Sequence, residues 1–205
     1  MIAQGWKCSQ CGFITVDLFP PDNCPKCNAD RSAFETEHAV KFSQDERDGV
    51  FNACWSVSYG LYLVSSIDGD KMNGQICNTL FQITSDPPRI AIGINHGNLT
   101  HEYIEKSGVF AASVLGENDH RIVRRFGYRS GRDFDKFKGV PLFKGKTGCP
   151  IYEKAVAYIE CTILRDKTTD AGTHSIFIGD IVNGARLTED VPMTYAFYHE
   201  TKDKI

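Results

Sequence analysis

The sequence predicts a mainly β chain with some helix, divided into a small metal knuckle and a larger β-barrel of mixed type. Four cysteines fall within the first 27 residues, as Cys8-x-x-Cys11 and Cys24-x-x-Cys27. From Tyr59 onward, short runs of strand-forming residues alternate with turn signals. Helical stretches are few, and no Gly-x-Gly-x-x-Gly opens a helix after a strand. That pattern argues against a doubly wound sheet with a nicotinamide site of the Rossmann kind, and no Walker motif is present either.

A chain of 205 residues fits one mid-sized domain plus a small one. The formal net charge of -3 gives no reason to expect nucleic acid as a partner, and the basic cluster Arg121, Arg124, Arg125, Arg129 and Arg132 is short. The chain runs from Met-Ile-Ala-Gln-Gly-Trp-Lys straight into the first knuckle, with no signal peptide pattern. Its longest apolar run, at 61–64, falls far short of a membrane span. A soluble, cytoplasmic protein is expected, with no membrane partner. Of the eight cysteines, Cys54, Cys77, Cys149 and Cys161 show no pairing pattern, which suits a reducing compartment and free thiols.

The first element, at 1–38, is too short to be stabilised by apolar burial alone, since chains below roughly 40 residues usually need a staple. Cys8, Cys11, Cys24 and Cys27 supply one by closing around a single tetrahedral ion, iron or zinc. Trp6, Phe13 and Phe34 are expected to form a miniature core around it. Gly12 supplies the positive φ that turns backbone N–H groups towards the sulfurs. The alternative is a purely structural zinc ribbon. A polar linker follows at 39–45, with Ser43 as an N-cap and Glu46 three residues later. The second domain is expected at 46–205, with helices near 46–56, 100–106 and 120–126. Strands are expected near 61–64, 90–94, 155–164 and 175–182.

Polar side chains are dense between Asn73 and Pro88. Asn78, Gln82 and Thr84 alternate with apolar residues, so one strand face is polar while the other packs inward; a plain solvated face is the alternative. Further on, Asn98 and Thr100 precede a helix whose N-terminus adds partial positive charge, an arrangement able to hold a phosphate.

The knuckle segment, Trp-Lys-Cys-Ser-Gln-Cys-Gly-Phe with Pro-Pro-Asp-Asn-Cys-Pro-Lys-Cys and Arg-Ser-Ala-Phe-Glu, resembles the rubredoxin domain of the rubrerythrin type. That family holds one iron in four thiolates and passes single electrons. Asn28 stands where the family usually has glycine, and asparagine tolerates left-handed backbone. Asn-Gly-Gln, Asn-Thr and Phe-Gln within 73–82, then Asp-Pro-Pro and Asn-His-Gly-Asn-Leu-Thr-His (95–101), resemble the flavin reductase-like split barrel. Arg-Phe-Gly-Tyr-Arg-Ser-Gly (125–131), Lys-Phe (136–137), Gly-Thr-His (172–174) and Thr-Tyr-Ala-Phe-Tyr-His (194–199) extend the similarity to the high-molecular-weight rubredoxins. In those the rubredoxin follows the barrel; here it precedes it.

The resemblance implies a rubredoxin-type metal domain joined to an FMN-binding split barrel. It implies FMN contacts from Asn73, Gly74, Gln75, Ile76, Cys77, Asn78, Thr79, Gln82, Thr84, Asn95, Asn98, Thr100, His101, Arg129, Lys136 and His174. By their residue types alone, Arg129 and Lys136 read equally as surface cations, His101 and His174 as structural histidines, and Cys77 as a packed thiol. The implied function is a flavin-dependent oxidoreductase relaying electrons between NAD(P)H, direct or through a reductase, FMN, the iron and an acceptor such as a flavodiiron protein. A homodimer with flavin near the interface is implied as well. A flavin or ferric reductase with a structural zinc knuckle, and a non-catalytic zinc-ribbon interaction protein, are the competing readings.

Overall fold

The computed structural model describes residues 4–17, 19–36 and 43–204. Most of the linker expected at 39–45 lies outside them. The chain divides into two compact units, 1–57 and 58–205. No helix of the described residues is long and apolar enough to cross a membrane.

The first unit carries three short strands, β1 (Gln4–Cys8), β2 (Ile14–Asp17) and β3 (Phe34–Thr36), in an antiparallel sheet of order β2-β1-β3. Phe34, Cys8, Cys24 and Ala29 are buried together, with Trp6, Phe13 and Ala33 packed against them. The three aromatics thus surround the cysteines as their spacing suggested. Helix α1 (Gln44–Trp55) begins at the expected cap. The Ser43 hydroxyl accepts from Glu46 N at 3.3 Å, and the Glu46 carboxylate accepts from Ser43 N at 2.9 Å, satisfying two helix-end donors reciprocally. None of the helix's residues is buried.

The second unit contains β4 (Tyr62–Asp68), β5 (Lys71–Cys77), β6 (Leu80–Ser85), β7 (Pro88–Asn95), α2 (Leu99–Ser107), β8 (Val109–Val114) and α3 (His120–Gly127). After these come β9 (Leu142–Lys144), β10 (Pro150–Tyr152), β11 (Ala157–Ile163), β12 (Thr169–Asp170), β13 (His174–Arg186) and α4 (Tyr195–Thr201). The main sheet runs β5-β4-β8-β11-β13-β7-β6, all antiparallel, with β12 paired to β13 and a separate β9–β10 ladder. One core draws Val64 from β4, Ile92 from β7, Phe110 from β8, Cys161 from β11 and Phe177 from β13. A sheet whose opposite halves bury into a single core has curled on itself, so the mainly β expectation holds. A second cluster, with Leu61, Leu63, Val123, Phe126, Phe137 and Tyr198, packs α3 and α4 against the sheet.

The apolar side of β6 does not pack inward as its alternation suggested. Phe81 is 60% and Ile83 42% exposed. The reason is position: β6 is the edge strand beyond β7, and its register shifts between Gln82 and Thr84. Alternation fixes which side chains share a face, not whether anything covers that face. Cys77, Cys149 and Cys161 are buried free thiols, and Cys54 is exposed.

A buried carboxylate lies on the outer face of the sheet, under the segment before β10. Glu160 on β11 is 0% exposed and accepts four hydrogen bonds: Lys146 N (2.9 Å), Thr147 N (2.8 Å), Thr147 Oγ1 (2.6 Å) and Asn183 Nδ2 (2.7 Å). Burial opposes its ionisation, but these donors outweigh it and hold the carboxyl below its ordinary value of 4.5. A lowered folded pKa adds stability above the unfolded value, and that stability is lost as pH falls through the folded one. Glu160→Gln, which turns an acceptor into a donor facing donors, is expected to cost about 3 kcal/mol at neutral pH. It should also flatten the acid limb of a melting-temperature profile; a variant as stable as the parent at pH 7 would contradict this.

Candidate functional site

The four cysteines converge. Their sulfurs lie within 4.8 Å of one another, with Cys8 and Cys27 3.7 Å apart and Cys11 and Cys24 3.5 Å apart. Tetrahedral thiolates at about 2.3 Å from one ion have sulfur edges of about 3.8 Å, so the set is spaced for a single metal. Backbone turns build it: Gly12 at φ 72° and Asn28 at φ 60° take the left-handed conformation just past Cys11 and Cys27. Backbone N–H groups reach the sulfurs, among them Phe13 to Cys11, Lys26 and Cys27 to Cys24, and Ala29 to Cys27. Such bonds favour the thiolate over the thiol.

In the second unit a polar cavity of about 350 Å³ opens between β5, the start of α2 and the segment after α3. Seven of the expected residues line it: Asn73, Gln75, Ile76, Asn98, Thr100, Arg129 and Lys136. Asn73 Nδ2 donates to Thr100 Oγ1 at 2.8 Å, tying β5 to the first turn of α2. The Gln75 side-chain oxygen Oε1 is buried without a hydrogen-bond partner. Asn98 flanks α2 without capping it through its side chain. Lys136 is only 5% exposed, its ammonium donating to the Phe126 carbonyl at 3.4 Å, and burial holds its pKa down to about 8. Arg129 stacks 4.6 Å over the Phe134 ring. A helix N-terminus, two arginines and a buried lysine make this an anion-favouring cavity.

Ser130, Gly131 and Arg132 also line the cavity; the 125–131 motif and the arginine cluster contain them, but sequence reasoning did not name them as flavin contacts. Arg132 pairs with Glu102 of α2, and hydrogen bonding to that arginine holds the Glu102 carboxyl below its ordinary range. A Cβ at Gly131 would collide with Asn73 Oδ1, so no side chain fits there while Asn73 keeps its place. The signal was the glycine itself, inside an arginine-rich run that alternation rules do not read.

The remaining expected residues lie elsewhere. Gly74 faces Leu63 and Phe137. Cys77 is buried in the core, its thiol 3.3 Å from Thr79 Oγ1, and burial raises its pKa. Thr79 donates to the Gly93 carbonyl, Thr84 to the Pro87 carbonyl and Gln82 to the Thr84 carbonyl, all as local turn and edge contacts. Asn95 accepts from Gly97 N. Asn78 lines a smaller cavity of about 280 Å³ with Tyr128, Tyr195, Tyr198 and His199. His101 Nε2 lies 2.8 Å and His96 Nε2 3.1 Å from the buried Ser175 hydroxyl, while His174 Nδ1 lies 2.8 Å from Thr173 Oγ1.

The family model of the flavin reductase like domain matches residues 55–204. The chain belongs to the flavin reductase-like family. The model of the rubrerythrin, rubredoxin-like domain matches residues 6–35, around all four cysteines. The chain is 46% identical over 152 residues to the high molecular weight rubredoxin of Moorella thermoacetica, covering 73% of this chain and 66% of that protein. It is 42% identical to the ferric-chelate reductase (NAD(P)H) of Archaeoglobus fulgidus, covering 73% and 89% respectively. Among solved structures it superposes on the NADH:FAD oxidoreductase SgcE6 of Streptomyces globisporus, in complex with NAD and FAD fragments, with a TM-score of 0.66 at 25% identity over 76% of this chain and 92% of that one. It also superposes on an FMN-binding protein from Thermus thermophilus, with a TM-score of 0.60 at 27% identity over 64% and 72%. It is therefore a flavin reductase-like oxidoreductase carrying a rubredoxin-like metal domain. The cavity fits a flavin of this family: the lone Gln75 carbonyl suits a ring N–H, and the cations suit a phosphate.

Proposed function

We propose that this flavin reductase-like protein is an electron-transfer flavoprotein, holding FMN in the cavity at Asn73 and Lys136 and one iron in the four thiolates. The observation that carries the reading is the pairing of a four-sulfur cluster with a flavin-family cavity in one chain. When bound, flavin supplies both two-electron and one-electron chemistry, and iron supplies one-electron chemistry. The protein's part is to bind and tune. Gln75 accepts a hydrogen bond from the ligand, and the start of α2 with Arg129 and Lys136 neutralises its phosphate. Phe13, Lys26, Cys27 and Ala29 direct N–H groups at the sulfurs. Reduced nicotinamide is the electron source in this reading, and a redox protein such as a flavodiiron protein the acceptor. The likeness to a ferric-chelate reductase favours a second reading, in which the metal knuckle is structural and the flavin reduces ferric complexes directly.

An absorption spectrum of anaerobically prepared protein, with metal analysis and stepwise reduction, tests the proposal. Flavin bands bleaching together with a thiolate-to-iron charge-transfer band support it. Flavin with zinc, or flavin that dissociates on dialysis, favours the second reading, and protein that binds no flavin even when FMN is added overturns both. A homodimer is part of the reading, supported by exposed Phe81 and Ile83 on edge strand β6. Elution of a monomer at micromolar concentration would count against it.

Lys136 makes FMN affinity pH-dependent. Its free pKa of about 8 rises when phosphate stabilises the ammonium, so binding takes up a proton above that pH. FMN affinity is expected to fall as pH rises through 8, by up to about tenfold per unit. Riboflavin, lacking the phosphate, and the Lys136→Met variant should both give flat profiles by fluorescence titration over that range.

A further inference from the structure

Two histidines flank the 97–100 turn, and neither lines the flavin cavity, whereas residues 97, 98, 99 and 100 all do. Both rings meet on one hydroxyl of β13. Ser175 is 8% exposed, and its Oγ lies 3.1 Å from His96 Nε2 and 2.8 Å from His101 Nε2. The two imidazoles stand edge to face, 5.0 Å between centroids, and the His101 ring lies 5.2 Å from that of buried Phe177. The cluster therefore reaches the turn from the residue before it and the residue after it, and fastens both to the same strand.

The protons can be placed along this chain. A hydroxyl donates once and accepts at its lone pairs, so one ring can give to Ser175 while the other receives from it. Asp170 Oδ1, 3.7 Å from His96 Nε2, favours the proton on that nitrogen. His96 then donates to Ser175, and Ser175 donates to His101. Burial, the largest influence on His101, holds its pKa below the ordinary value despite Glu105 and Glu102 nearby, which keeps the ring neutral and able to accept.

The turn has a use for such a fastening. Asn98 makes no side-chain cap to α2, so the first N–H groups of the helix are left to a ligand. A binding constellation works only when held to within about 0.5 Å by groups that are themselves fixed. Backbone bonds supply part of this, Asn98 N to the Asn95 carbonyl at 3.1 Å and His96 N to the Thr173 carbonyl at 3.1 Å. We propose that Ser175, with His96 and His101, positions the 97–100 turn to receive the flavin phosphate, acting through the turn and not on the flavin itself. This role rests on the reading that the phosphate binds at the start of α2.

Fluorescence titration of the flavin-stripped full chain with FMN and with riboflavin tests it. Ser175→Ala is expected to weaken FMN binding by about tenfold, as loss of a buried hydrogen-bond hub does, and to leave riboflavin binding unchanged. Ser175→Thr keeps the hydroxyl on a residue suited to a strand and should restore FMN affinity. His101→Phe keeps the contact with Phe177 and removes the nitrogen, so it should repeat the loss even if Ser175→Ala folds poorly. FMN affinity equal to the parent's in both Ser175→Ala and His101→Phe overturns the proposal. Equal weakening of FMN and riboflavin overturns it too, because the cluster would then support the barrel at large, and so does failure of threonine to rescue. A parent that binds riboflavin as tightly as FMN overturns the phosphate seat itself, a result read before any variant is made.

Discussion

Cys24→Ser is expected to abolish metal binding and unfold residues 4–36, while the barrel keeps its melting transition. Cys24 is buried in the small core and its sulfur takes backbone N–H bonds from Lys26 and Cys27. Three strands of three to five residues cannot bury enough apolar surface to fold by themselves, so the metal's binding energy is the folding energy of this unit. The barrel has its own cores, drawn from residues of the second unit alone. Metal analysis should find no bound ion in the variant, and proteolysis should remove the N-terminal segment and stop short of the barrel. Chelation of the parent under denaturing pressure should give the same fragment. A variant that loses its metal but keeps the β1–β2–β3 sheet, read by amide exchange, would show that the aromatic core suffices.

Some of this was legible because the chemistry is local. Two Cys-x-x-Cys pairs need only a turn each to converge, and both turns are written beside them, as glycine at 12 and asparagine at 28. The capping box at Ser43 and Glu46 and the cores of α2 and α3 are likewise signals within a few residues. The sheet order was not legible. β4 pairs with β8 and β7 with β13 across long intervals, and strand periodicity holds no record of its partner. Glu160 illustrates the limit well: inside the apolar run of β11 it reads as an outward residue, and only the fold brings the 146–147 backbone and Asn183 to it. Helix α4 carried a short-range signal that went unused, since the Thr194 hydroxyl accepts from Phe197 N as an N-cap. In the candidate site, the residues on β5 and before α2 were readable because polar side chains cluster there. Ser130 and Arg132 reach the same cavity only through the turn after α3.

Gly131→Ala is expected to lower FMN affinity by about a hundredfold with little loss of fold stability. The added Cβ would collide with Asn73 Oδ1 and meet the Asn73 side-chain amide carbon at 2.8 Å, contacts no relaxation of alanine itself can relieve. Asn73 is buried and its amide is held by Thr100, so it yields by rotating and breaking that bond. A buried amide left unpaired costs about 1–3 kcal/mol, the equivalent of one to two decades in affinity if the cost falls on the bound state. The loss should concentrate on binding because the Asn73–Thr100 bond is what joins β5 to the start of α2 across the cavity, while the barrel core lies on other residues. Asn73→Ala offers the discriminating control: it removes the clash partner, so adding Gly131→Ala to it should cost nothing further. If the double variant binds FMN much more weakly than Asn73→Ala alone, the glycine serves the loop's own backbone and not the room that Asn73 needs.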